Sequence, residues 1–73
     1  MEKIITLKKL QKVINEDASR PEIEAFQLVE IEINFYGTIW KETFVTEIMQ
    51  DGSQRIINGN GSYPYGTDIN KLI

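Results

Sequence analysis

Neither cysteine nor histidine occurs anywhere in the 73 residues of this chain. Without cysteine there can be no disulfide framework and no thiolate metal site to support a small core. Without histidine the Ser-His and Cys-His nucleophile pairs and the usual zinc and iron ligand sets are excluded. Only carboxylates, hydroxyls and amines are left for catalysis, and the residue pattern implies no pocket. The chain is therefore expected not to be an enzyme, with no catalytic residue, metal site or cofactor. Long apolar runs are lacking too. No stretch approaches the roughly 20 apolar residues that cross a bilayer, and Met1 to Ile5 lacks the apolar run of a signal peptide. The expectation is a cytoplasmic protein without membrane contact.

The composition is that of a globular domain. Hydrophobic residues make up 41% of the chain, too many for a disordered polymer, and the length suits one core, so residues 1–73 read as a single small domain. The net charge of -3 conceals a gradient. Lys3, Lys8, Lys9 and Lys12 make the first fifteen residues basic, whereas residues 16–52 carry nearly all the acids. A solvated surface explains such a distribution without any partner.

Leu7, Leu10, Val13 and Ile14 recur at helical spacing while Lys8, Lys9 and Lys12 fall opposite them, which predicts an amphipathic helix from Leu7 to about Asp17 with Thr6 as its N-cap. Pro21 ends that pattern. From Phe26 the period changes. Val29, Ile31, Ile33 and Phe35 alternate with Glu30, Glu32 and Asn34, the mark of a half-buried strand. Gly37-Thr38 suits a two-residue type II′ turn, which would pair Phe35 with Trp40 in the core and Val29 with Thr46. At the second turn the partner of Arg55 discriminates between loop lengths. A three-residue loop, Gln50-Asp51-Gly52 with Gly52 left-handed, sets Arg55 against Glu47 and turns Ile56 inward; a two-residue loop would bury the charge. Asn58 to Gly66 reads as a loop, after which Thr67 or Asp68 could cap a terminal helical turn through Ile69, Leu72 and Ile73. The expected fold is α+β: an N-terminal helix packed on a three-stranded antiparallel meander, α-β-β-β, with a short C-terminal helical turn.

Function is far less legible. Glu30 and Glu32 share the polar face of one strand, a spacing that could serve acid-base chemistry, but an exposed face provides no means of separating two pKa values. Asn58, Asn60, Tyr63 and Tyr65 sit in a glycine-rich loop whose amides could approach a small ligand or nucleotide, although no phosphate-binding fingerprint is completed. Lys8, Lys9 and Lys12 could contact nucleic acid from a helix face. A helix, three strands and a terminal helical turn are similar in element order to double-stranded RNA-binding domains. That family places a basic cluster where Asp68 stands here, so nucleic acid is the weaker reading. Tyr36 at the hairpin and the strand from Phe26 to Tyr36, an open edge of the meander unless Met1 to Ile5 pairs with it, favour contact with a protein partner, a homodimer through that edge included. The best reading is a non-enzymatic binding module of the accessory or inhibitor type found among phages and mobile elements. Its expected contact residues are Tyr36, Asn58, Asn60, Tyr63, Tyr65, Glu30 and Glu32.

Overall fold

The computed structural model describes residues 3–72. It holds four strands, β1 (Ile4–Ile14), β2 (Ile23–Phe35), β3 (Thr38–Met49) and β4 (Gln54–Ile56), followed by a single 3₁₀ turn, Ile69–Leu72. The strands form one antiparallel meander in the order β1-β2-β3-β4. The expected α+β fold is thus corrected. There is no N-terminal helix, and the segment read as one is the first strand of the sheet. With the helix goes the likeness in element order to double-stranded RNA-binding domains.

A bulge explains why β1 imitates a helix. Ile5, Leu7 and Lys9 pair with Ile33, Ile31 and Val29, and the register then shifts between Lys9 and Gln11, so that Gln11, Lys12, Val13 and Ile14 meet Leu28, Gln27, Phe26 and Ala25. Leu10 is the surplus residue. Its insertion moves Val13 to the face opposite Leu7, and an alternation broken in this way has apolar residues spaced by three and four. The β-branched residues Ile4, Ile5, Thr6, Val13 and Ile14 are the local signal for a strand. Thr6, expected as a cap, pairs with Glu32.

The first hairpin turns one residue earlier than the glycine suggests. Phe35 pairs with Thr38, so Tyr36 and Gly37 are the loop residues, at φ of 51° and 90°. Positive φ at both positions matches the twist of a type I′ hairpin. Asn34 supports it by accepting the Gly37 N–H through Oδ1 at 3.1 Å. Ile33 consequently faces Trp40, Ile31 faces Glu42 and Val29 faces Phe44. Every expected pair has moved by two residues along β3, and because side chains alternate with period two the sorting into faces is unchanged. The second turn has the three-residue loop. Arg55 pairs with Glu47, Gly52 has φ of 89°, and Ile56 is fully buried.

One face of the sheet carries the core: Val29, Ile31, Ile33, Phe44 and Ile56, covered by Ile69 and Leu72, with Ile5, Leu7 and Tyr63 against them. The cover comes from the C-terminal segment. Gly66 N–H donates to Ile56 O, Ile56 N–H donates to Thr67 O, and Asp68 bridges to Arg55, so this segment seals the outer edge of β4 before turning over the face. Asp68 Oδ1 accepts the Asn70 N–H at 2.9 Å and starts the 3₁₀ turn. Ile73, expected to join it, lies outside the described residues. At the same end Asn15 Nδ2 donates to the carbonyls of Arg20 and Ile23, and Gln50 donates to the carbonyl of Pro21, tying the two loops there together.

Candidate functional site

The residues expected to make contacts fall in three separate places. Glu30 and Glu32 are half-buried in the middle of the face opposite the core, within a mixed-charge ladder. Glu30 pairs with Lys8 on one side and lies 3.9 Å from Lys41 Nζ on the other, and Glu32 pairs with Lys41. Opposite charges in such cross-strand positions stabilise a sheet by about 0.2–1 kcal/mol each, an adequate structural role. Lys8 is on that face, but the bulge leaves Lys9 and Lys12 on the other. The single lysine stripe expected of a helix therefore does not form.

The Asn58–Gly66 loop is closed on itself. Asn58 Oδ1 accepts the N–H of Val45 at 2.6 Å, extending the cover of the β3 edge by one residue. Asn60 Oδ1 accepts the N–H groups of Ser62 and Tyr63, and Asn60 N–H donates to Tyr63 O. Gly59 is where the loop closes, since a Cβ there would run into the backbone of Tyr63, Pro64 and Tyr65. Tyr63 turns inward with its ring edge-on to Phe44, centroids 5.7 Å apart. Tyr65 is exposed beside a small cleft of about 70 Å³ lined also by Glu47, Met49, Arg55 and Ile57. That is well short of the roughly 300 Å³ at which small-molecule sites begin.

Tyr36 occupies the third place, the hairpin tip. It is exposed and packs edge-on against Phe35 at a centroid distance of 4.5 Å. Phe35, Ile39 and Trp40 are 47%, 58% and 39% exposed. The expected Phe35–Trp40 core pair is therefore replaced by two uncovered aromatic residues. Ile33, which pairs with Trp40, is still buried, so burial on the core face stops after Ile33 on β2 and between Phe44 and Trp40 on β3.

Two features were missed from sequence. Glu47 is buried and accepts a 2.6 Å bond from Arg20 Nη2, which raises the arginine pKa. This pair spans 27 residues and leaves no local pattern. Glu42 is the second. It lies on the core face, opposite Ile31 and between Trp40 and Phe44 along β3, and its Oε2 is buried with no hydrogen-bond partner among the described residues. Its signal was available: an acid falls in phase with the apolar positions 40 and 44.

The edges of the sheet complete the geometry. Val45 N–H and C=O both point outward, to Asn58 and Ile57, and alternate residues of a strand repeat that direction. Ile39, Lys41 and Thr43 thus turn their backbone groups to the open edge of β3, because β4 pairs only with Thr46, Glu47 and Ile48. β1 forms the opposite edge, so the strand expected at an edge, β2, is paired on both sides. Among the described residues no helix is long and apolar enough to cross a membrane, and no three acidic side chains are grouped to hold a metal ion. Comparison with known protein families, with curated proteins and with solved structures finds no match.

Proposed function

We propose that this chain is a non-enzymatic binding module that works by contact with another protein in the cytoplasm, through the uncovered hairpin end of its sheet. One observation supports the reading above others: Phe35, Tyr36 and Trp40 are exposed at the tip, with Ile39 exposed on the opposite face, next to a stretch of open strand edge. Clustered aromatic side chains beside unpaired backbone groups are the usual ingredients of protein recognition. Small-ligand binding at Asn58–Gly66 has less support, since the side-chain oxygens of Asn58 and Asn60 are spent within the fold.

The test is co-purification from the source cells with tagged full chain and with a Tyr36→Ser/Trp40→Ser double variant. A specific protein held by the parent and lost from the variant supports the proposal. Equal recovery by both, or no specific recovery, counts against it.

A further inference from the structure

We propose that the open edge of β3, Thr38–Phe44, accepts an extended segment of another protein that sets a lysine or arginine against Glu42, beside Trp40. This rests on the contact reading above and adds to it the position and the chemistry of the partner.

The first observation is the carboxylate. Thr46, Glu47 and Gln54 are buried where Glu42 is half-buried, and each is satisfied: Thr46 Oγ1 donates to Gln27 O at 2.9 Å, Gln54 Nε2 donates to Thr46 Oγ1 at 2.7 Å, and Glu47 is held by Arg20. Glu42 Oε2 is left over, and Glu42 enters no ion pair among the described residues. A buried carboxylate oxygen without a donor is unfavourable, and what relieves it best is a charge-assisted bond from a cation.

The second observation is independent of the first. Glu42 is on the strand whose outer edge is open at Ile39, Lys41 and Thr43, so an added strand would bring its own side chains level with Trp40, Glu42 and Phe44 on the core face. Arginine or lysine at the position opposite Glu42 would supply the missing donors. An apolar residue two places to one side would lie against Trp40, and the partly exposed indole offers its face to the same cation.

The chain's own residues argue against a second copy as the symmetric occupant. A two-fold pairing of β3 with itself that keeps the core faces on one side opposes Glu42 with Thr38, Trp40, Glu42 or Phe44. None is a cation. β1 carries Lys9 and Lys12 on the core face, but it is bulged at Lys9/Gln11 and set with lysines, features that discourage edge pairing. Joining β1 to β3 of another copy would also be a head-to-tail contact, which leaves a free edge on each copy of a pair.

Trp40 is the single tryptophan of the chain, so its fluorescence reports binding at this edge directly. The probes are capped eight-residue peptides of alternating valine and threonine in which one valine position is varied among Arg, Lys, Gln, Leu and Glu, each titrated against the full chain. Arg and Lys peptides are expected to bind about tenfold or more tighter than the Gln and Leu peptides, as a charge-assisted bond in a partly buried site requires. The preference should vanish in Glu42→Gln and in Glu42→Leu. The leucine variant should be at least as heat-stable as the parent, which separates lost recognition from lost folding. Equal binding of the Leu and Arg peptides, or a preference that survives Glu42→Gln, overturns the role of the cation. If no peptide changes the Trp40 signal, the β3 edge is the wrong place, while the contact reading is decided separately by the tip variant in co-purification. Concentration-dependent sedimentation that is abolished by Lys9→Glu would identify the occupant as a second copy and overturn the proposal.

Discussion

The two ends of the sheet are built from similar residues and reach opposite outcomes. At the β4 end Phe44, Ile56 and Leu72 are 2%, 0% and 0% exposed, whereas at the hairpin tip Phe35, Ile39 and Trp40 are 47%, 58% and 39% exposed. Phe35 and Trp40 are on the same face as Phe44. Facing the core side is therefore not enough for burial; a covering layer is needed, and the C-terminal segment reaches only part of the sheet. In a chain this short one layer cannot cover both ends.

The largest test of that contrast exchanges aromatic residues for alanine at each end. Phe44→Ala should cost about 3–5 kcal/mol, and Trp40→Ala under about 1 kcal/mol because its ring is already partly in water, both read from urea unfolding midpoints. Comparable losses would mean that the tip is supported by packing after all. Glu42→Leu tests the boundary between the ends. Replacing the unpaired carboxylate with an apolar group should stabilise the chain by about 1–2 kcal/mol, and a loss in thermal melting would mean that the carboxylate is better satisfied than the geometry indicates.

The turns give the smaller effects. Tyr36→Asn should gain about 0.5–1 kcal/mol, since asparagine tolerates the left-handed conformation better than tyrosine does. No gain in the melting midpoint would show that the Phe35 ring contact compensates the backbone. At the other end Asp51 accepts bonds from the hydroxyl and N–H of Ser53, which hold its carboxyl below the ordinary range. A lowered folded-state pKa gives stability that is complete above about pH 4 and is lost as pH falls through the lowered value. Stability profiles between pH 2 and 6 should therefore be slightly flatter for Asp51→Asn, a small effect at an exposed site. An unchanged profile would place the acid dependence elsewhere.

Legibility followed locality. The faces of β2 and β3 could be sorted from alternation alone, and Arg55 settled the second turn because a wrong register would have buried its charge. The first turn was displaced because Gly37 takes the second loop position of a type I′ turn, with Tyr36 accepting the strained first one. β1 was misread as a helix because one surplus residue breaks its alternation. For the candidate site, the acid at position 42 was visible in phase with its apolar neighbours, but its isolation depends on where the C-terminal cover stops. That is a tertiary fact, as is the Arg20–Glu47 pair.

The surplus residue has a consequence for how the molecule behaves in company. Deleting Leu10 would leave every cross-strand neighbour of β1 as it is, turning a kinked margin into an unbroken ladder of ten registered pairs. The core would not register the loss, but the solution would. A smooth margin is a template for other chains, so the shortened protein should scatter light at concentrations where the parent stays clear. By this account Leu10 serves colloidal behaviour more than folding, and its worth would show only in a crowd.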